Sequence, residues 1–291
     1  MALPRETTRL AKALESIPTL PTVAHRLNEV IQSSSATVPQ VAEILRGDPA
    51  TSAKLLRLVN SPHFGVPGGV ADVARAIPFV GFNQLYQLVL SIGVMDVVGA
   101  AAGLFDPREL WMHSLTVATA AREIAGEVKF PDPGSAFTAG LLHDIGKIAL
   151  AKLEPDRLAA AIATMRDDHV GILDAEARCE LTSHEWLGGR LAQLWRFPAK
   201  LAGAIEHHHG VCDPERAAQI PAGLRPLAEI VAAADCLAHD IGSTGDAFAD
   251  DGDLRARGLL ERSGVAADRI DAIVDRVRKH LERSKAFASL G

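Results

Sequence analysis

The sequence has few cysteines and few aromatic residues, and both shortages exclude classes of protein. Cys179, Cys212 and Cys236 are far apart and form no Cys-x-x-Cys pair, which argues against a disulfide framework and against a zinc ribbon. Aromatic residues make up only 4% of the chain. Together with abundant alanine, this composition suits closely packed helices better than a sandwich of β-sheets.

Clusters of positive charge are missing as well. The chain has 30 Lys and Arg residues against 36 Asp and Glu residues, for a formal net charge of -6, and the basic residues are scattered. A protein that binds nucleic acid without sequence preference needs a basic patch to neutralise phosphates. We therefore expect no nucleic-acid partner.

No stretch of the sequence is expected to direct the protein to or through a membrane. Charged residues interrupt the apolar positions of residues 1–14, so no secretory signal can be drawn there. Residues 88–105 are nearly long enough to span a bilayer. Asp96 lies within them and would cost about 2.5–3.5 kcal/mol on insertion. We expect this segment to be buried in a protein core and the protein to be cytoplasmic.

The pattern of apolar residues predicts an all-α fold. These residues recur at spacings of three and four, as in residues 55–59, and the alternation typical of β-strands is hard to find. Asp106 and Pro107 provide a helix cap and a first turn after an apolar segment. We therefore expect two domains, residues 1–105 and residues 106–291.

The helix predicted over residues 136–153 carries two adjacent polar residues, His143 and Asp144, in an otherwise apolar sequence. Neighbouring helical residues point about 100° apart, so both side chains cannot easily reach solvent while the helix stays packed. Their burial costs several kcal/mol unless a cation or hydrogen bonds compensate. Gly140 and Gly146 weaken the helix, which indicates that another group approaches its backbone closely.

Three more polar residues lie on other predicted helices. His113 belongs to a helix that starts at Pro107, His184 lies in the first turn of another helix, and Asp235 interrupts a third, apolar one. A buried carboxylate in an apolar helix needs a partner from elsewhere in the fold. These residues are therefore candidates for a shared site.

A run of histidines and two further polar residues need separate interpretation. Of His207, His208 and His209, at most two are expected to face a common site, and we assign His207 and His208 to it. Glu185 is interpreted as part of a helix capping box. His239 is interpreted as a cation beside the C-terminal end of a helix dipole.

Together, these residues form a set of nitrogen and oxygen donors that suits Fe, Mn, Ni, Zn or Mg and is too large for a single tetrahedral zinc. We predict a site for one or two divalent metal ions, held by His113, His143, Asp144, His184, His207, His208 and Asp235. Two ions would clamp a phosphate ester and generate hydroxide. The candidate catalytic residues are Asp144 and Lys147, whose ammonium would face an anion or else reach solvent from the surface.

The pattern of His113, the doublet His143-Asp144 and Asp235 resembles that of the HD superfamily of metal-dependent phosphohydrolases. His184 and the pair His207-His208 resemble the fuller ligand set of the HD-GYP subgroup. The sequence departs from that subgroup because residues 209–213 (HGVCD) contain no Gly-Tyr-Pro, the motif associated with cleavage of cyclic di-GMP.

The first domain is similar to the HDOD family of helical bacterial regulatory proteins. The resemblance is carried by the motifs IPTLP, ILRGDPA and LLRLVNSP at residues 17–21, 44–50 and 55–62. It implies a multi-helix HD-domain-like bundle preceded by an N-terminal helical HDOD subdomain. It also implies that the protein is a signalling or output module without demonstrated hydrolysis. In this family, many members have lost metal ligands.

Two functions remain open from the sequence. One is a bacterial signal-transduction protein that binds a regulatory protein partner or a nucleotide-type small molecule, with any metal serving structure or sensing. The other is a metal-dependent phosphohydrolase acting on a nucleotide or a cyclic dinucleotide, in which Asp144 holds metal and Lys147 contacts the phosphate. Neither function calls for a nucleic-acid or membrane partner, and the sequence leaves the oligomeric state open.

Overall fold

The computed structural model describes residues 10, 12–17, 22–31, 33, 35–60, 66, 68–99, 104–241 and 253–288. Within these residues the regular structure is helical and no strand is formed, which confirms the predicted all-α fold. The chain divides into a larger unit, Met1–Pro18 with Val98–Glu282, and a smaller unit, Thr19–Val97 with Arg283–Gly291. The predicted division into residues 1–105 and 106–291 differs from this one in residues 1–18, 98–105 and 283–291, and it stays a prediction.

Five helices of the described chain begin in the smaller unit. They are α1 Thr22–Ile31, α2 Val38–Arg46, α3 Pro49–Val59, α4 Val73–Val80 and α5 Phe82–Gly99. Each presents apolar side chains to one common core, in which Leu27, Leu45, Leu55 and Leu85 are fully buried. Burial of large apolar side chains is the main force that holds such short helices together.

Polar residues of the predicted HDOD motifs fix the ends of these helices. The Asp48 carboxylate accepts a hydrogen bond from the backbone N–H of Thr51 at 3.0 Å and so caps α3. The Asn60 side chain both donates to and accepts from the backbone of Val70, at 2.7 Å in each case. The two motif residues therefore have structural roles: Asp48 caps the start of α3, and Asn60 links its end to the backbone of Val70.

The remaining described helices run from residue 107 to residue 288. They are α6 Pro107–Glu127, α7 Pro133–Leu142, α8 Ile145–Leu153, α9 Pro155–Asp168, α10 Ile172–Arg178, α11 His184–Leu194, α12 Ala199–His207, α13 Pro214–Gln219, α14 Arg225–Asp240, α15 Asp253–Arg262 and α16 Ala267–Ala288. Helix α6 packs against α7 and α14, and α11 packs against α8 and α12. These contacts bring the polar segments of the larger unit together.

Three helices of the larger unit begin at an Asp-Pro pair. The carboxylates of Asp106, Asp132 and Asp213 accept hydrogen bonds of 2.8–3.0 Å from backbone N–H groups of the first turn. The proline that follows needs no hydrogen-bond partner at this position, since it has no N–H. The helix start predicted at Asp106 and Pro107 is confirmed.

The helix predicted over residues 136–153 is interrupted. Helix α7 ends at Leu142 and α8 begins at Ile145, so the doublet lies in the turn between them. The close approach predicted from the glycines is confirmed. A Cβ on Gly140 would lie 2.9 Å from the backbone of α6, and a Cβ on Gly146 would overlap the backbone carbonyl of His184.

In the described part of the chain, no single helix combines the length and hydropathy needed to cross a membrane. The pair Val73–Val80 and Phe82–Val94 reaches them only together, and it is bent by 115°. The described apolar side chains of α5 within residues 88–97 include Val89, Leu90 and Ile92, which are at most 2% exposed.

The contact at Gly146 makes a prediction for stability. Replacing Gly146 with Ala is expected to lower the free energy of unfolding by about 3 kcal/mol, because α8 must separate from α11 to admit the methyl group. Gly126 is the matched control, since a Cβ there meets nothing within 4 Å. Gly126→Ala is expected to raise stability by up to about 1 kcal/mol. Urea unfolding followed by circular dichroism would measure both, and equal stabilities would contradict the prediction.

Candidate metal centre

Eight polar side chains of the larger unit converge at one place in the described structure. They come from α6, from the turn between α7 and α8, from the start of α11, from the residues after α12 and from α14: His113, His143, Asp144, His184, His208, His209, Asp235 and His239. In each of four sets of three, the donor atoms all lie within 4.8 Å of one another.

Four of these residues form what we call the first donor group: His113, His143, Asp144 and Asp235. The Oδ1 atom of Asp235 lies 3.0 Å from Nε2 of His113 and 3.5 Å from Nε2 of His143. The Oδ2 atom of Asp144 lies 3.3 Å from Nε2 of His143. Donors bound to one ion at about 2.0–2.1 Å are themselves about 3.0–3.4 Å apart, so the spacing suits a shared cation.

The second donor group consists of Asp144, His184, His208 and His209. The other carboxylate oxygen of Asp144, Oδ1, lies 3.5 Å from Nε2 of His184 and 3.9 Å from Nε2 of His208. The ring of His209 lies 4.2 Å from that of His208. Asp144 therefore belongs to both groups, with one oxygen facing each.

Main-chain carbonyls orient two of the histidines. Nδ1 of His143 donates to the carbonyl oxygen of Gly140 at 2.8 Å, and Nδ1 of His208 donates to that of Ile205 at 2.8 Å. A carbonyl oxygen only accepts, so each Nδ1 carries a proton. In the neutral ring this leaves the lone pair of Nε2 pointing into the centre, as metal binding requires.

His184 is oriented by a carboxylate instead. Its Nδ1 lies 2.7 Å from Oε1 of Glu176, a side chain only 1% exposed, and its backbone N–H donates to the same carboxylate. A carboxylate behind a ligating imidazole fixes the ring and raises its basicity. The sequence offered no signal for Glu176, because it lies on α10, eight residues before its partner.

Hydrogen bonding within the protein leaves several of the donor atoms unsatisfied. The buried atoms without a hydrogen-bond partner include Oδ1 of Asp144 and Asp235 and Nε2 of His184, His208 and His209. Each buried polar atom left unpaired costs about 1–3 kcal/mol. One or two divalent cations would satisfy them, so the residues present fit the metal site that the sequence predicted.

Burial and charge within the centre favour the metal-binding protonation states of His113, His208 and Asp144, but they favour the protonated form of His143. Burial lowers the pKa of His113 and of His208 to about 4, so both are neutral at neutral pH. Burial raises the pKa of Asp144, but His143 and Lys147 outweigh it and hold that pKa well below its usual range. For His143, burial lowers the pKa, but the carboxylates of Asp144 and Asp235 outweigh burial and raise it to about 10.

Six of the seven predicted metal ligands lie in the two donor groups. The exception is His207, the last residue of α12, which belongs to none of the donor sets found in the described residues. The helix ends there, and the following turn directs His208 and His209 inward in its place. That any of these residues binds metal stays a prediction.

The predicted catalytic residues lie side by side. Lys147 is only 4% exposed, so it does not extend from the surface, and its Nζ lies 2.7 Å from Oδ2 of Asp144. The ammonium therefore neutralises the carboxylate that the two donor groups share. The catalytic roles of both residues stay predictions.

Two residues with a predicted helix-end role are placed differently. The Glu185 carboxylate accepts hydrogen bonds from the backbone N–H groups of His209 at 3.0 Å and Gly210 at 3.2 Å, while Ser183 caps α11. His239 directs Nε2 toward Oδ1 of Asp235, 3.4 Å away, instead of toward helix carbonyls. The available signal for His239 was its spacing, one helical turn after Asp235.

Residues 17–211 match the family model described as HDOD domain. The chain belongs to the HDOD family. This HDOD protein is 24% identical over 238 residues to an uncharacterized protein of Treponema pallidum (strain Nichols), which covers 79% of this chain and 44% of that one. It is 22% identical over 200 residues to the uncharacterized protein YuxH of Bacillus subtilis (strain 168), and the match covers 64% of this chain and 47% of that one. The chain thus spans less than half the length of these curated relatives.

Solved structures share the fold of this HDOD protein. An HDOD domain protein of unknown function from Geobacter sulfurreducens matches with a TM-score of 0.76 and 24% identity, covering 98% of this chain and 97% of that one. A candidate phosphohydrolase from Shewanella amazonensis SB2B matches with a TM-score of 0.69 and 26% identity, and the match covers 93% of each chain. A candidate signal transduction protein from Marinobacter aquaeolei VT8 matches with a TM-score of 0.75 and 18% identity, and the match covers 99% of this chain and 62% of that one.

The contact of Glu176 with His184 makes a prediction for metal affinity. Glu176→Gln is expected to weaken metal binding about 10–100-fold, because a neutral amide supports the imidazole less than a carboxylate does. The matched control is Glu180→Gln, since Glu180 is exposed and follows the same helix. Competition with a chromophoric chelator measures both affinities, and equal values for the two variants would argue against a ligand role for His184.

The raised pKa of His143 makes a prediction for pH dependence. Near neutral pH, metal binding is expected to release about one proton from His143, whose pKa is about 10 without the ion. Below that pKa the proton competes with the metal, so the apparent affinity should rise with pH, by up to about tenfold per unit. Calorimetry in buffers of different ionisation enthalpy counts the released protons, and a count of zero would contradict the prediction.

Proposed function

We propose that this HDOD protein is a bacterial signal-transduction regulator whose metal centre serves structure or sensing. The supporting observation is the burial of the donors: His143 and His184 are fully buried and Asp144 is 2% exposed. A phosphate ester must bring its own oxygen atoms to the metal, which requires a cleft and an open coordination position. Buried donors suit a centre that holds the helices together.

The partner in this proposal is a regulatory protein or a nucleotide-type small molecule. The family assignment supports it, since the HDOD match covers residues 17–211. In this role the metal would tie α6, the turn after α7, α11 and α14 together, so that metal binding and folding of the larger unit are coupled.

A second candidate function is a metal-dependent phosphohydrolase. It is supported by the position of Lys147 beside Asp144, 2.7 Å away, and by the 26% identity to the candidate phosphohydrolase from Shewanella amazonensis SB2B. A bound metal would supply Lewis-acid polarisation and a nucleophilic hydroxide. The two donor groups would hold the metal, and Lys147 would neutralise the phosphate.

Metal content and turnover test both candidates. Elemental analysis of the purified protein is expected to find metal, and chelation is expected to lower the melting temperature reversibly, because an ion at a hundredfold its Kd adds about 2.7 kcal/mol. A screen of nucleotides and cyclic dinucleotides is expected to show no turnover. A metal content below about 0.2 per chain after reconstitution with Fe, Mn or Ni would contradict both functions.

Variants assign any turnover that the screen detects. Turnover in the wild type that disappears in Asp144→Ala would contradict the regulator and support the phosphohydrolase. Asp174→Ala is the matched control, because Asp174 is an exposed carboxylate on α10. Turnover that survives Asp144→Ala would come from another protein in the preparation.

A further inference from the structure

We propose that His239 is an additional metal ligand, which fills the coordination position that water or a substrate would need beside the first donor group. The proposal rests on the proposed function, since it requires a metal at that group. It explains how this chain can retain a full set of donors and still serve as a regulator.

The first observation is the crowding around one oxygen atom. Three imidazole nitrogens, Nε2 of His113, His143 and His239, lie 3.0, 3.5 and 3.4 Å from Oδ1 of Asp235. That oxygen nevertheless accepts no hydrogen bond. The three nitrogens therefore cluster around one carboxylate oxygen at the spacing that ligands of one ion have.

The second observation is that the fold holds His239 in this place. Asp235 and His239 are one turn apart on α14, so they share a helix face. Helix α14 packs against α6, and the rings of His239 and His113 have centroids 5.0 Å apart. Nδ1 of His239 is buried and has no hydrogen-bond partner, so no helix carbonyl holds the ring as a cap.

The third step concerns the number of donors. An ion beside Oδ1 of Asp235 would have Asp235, His113 and His143 as ligands, and His239 would be the fourth. Catalytic zinc sites keep a position for water or substrate beside three protein ligands, whereas structural sites are closed by protein alone. With His239 as a ligand, the metal site of the first donor group therefore belongs to the class of sites that are closed by protein alone.

Cobalt(II) is the probe for this proposal, because its visible absorption changes with the ligands it binds. The wild-type Co²⁺ protein is expected to keep its spectrum when inorganic phosphate is added, since no position is open. His239→Ala is expected to bind Co²⁺ at least about tenfold more weakly, and its spectrum is expected to change with phosphate. Added imidazole should restore the wild-type spectrum of this variant.

His207→Ala is the matched control, because His207 is half-buried and lies outside the donor sets of the described residues. It is expected to match the wild type in Co²⁺ affinity and in its indifference to phosphate. A wild-type response to phosphate as large as that of His239→Ala would overturn the proposal, and this measurement on the wild type needs no variant to fold.

The outcomes separate this proposal from the proposed function. Failure of the wild type to bind Co²⁺ would contradict the metal centre itself and this proposal with it. Equal Co²⁺ affinity of the wild type and His239→Ala, both folded by circular dichroism, would overturn only the role of His239. A phosphate response confined to His239→Ala would support the closed site.

Discussion

The buried carboxylate of Asp144 is the constraint on which the centre depends. Its two oxygens face two groups of imidazoles, and Lys147 balances part of its charge. An unpaired carboxylate at this depth would cost several kcal/mol. The surrounding helices can pack closely only because cationic or metal partners offset that cost. The charge that makes the site possible therefore also makes the fold dependent on what occupies it.

Close backbone contact is the second requirement. The turn that carries His143 and Asp144 lies between two helices whose glycines, Gly140 and Gly146, allow α6 and α11 to approach without side chains between them. This brings donors from distant parts of the chain within hydrogen-bonding range of one another. The doublet lies in a turn between two helices instead of within one helix, and both of its side chains reach the first donor group.

The all-α fold, the helix start at Asp106-Pro107 and the donors from separate helices were predictable, because apolar spacing, capping residues and polar residues in apolar helices are visible in the sequence. Whether His207 or His209 joins His208 in the centre was not predictable, because α12 ends at His207 and helical spacing no longer applies to the residues after it. Glu176 and Glu185 act on residues that are near in space, through contacts made by tertiary packing. Such supporting carboxylates have no fixed spacing from the residues they support.

The hydrogen bonds from Nδ1 of His143 and His208 to carbonyls three residues earlier have an evolutionary consequence. These rings take their orientation from the main chain, so drift in the neighbouring side chains leaves their geometry intact. His184 differs, because Glu176 can be lost by a single mutation. Loss of Glu176 alone would therefore release the ring of His184, while the rings of His143 and His208 would keep their orientation.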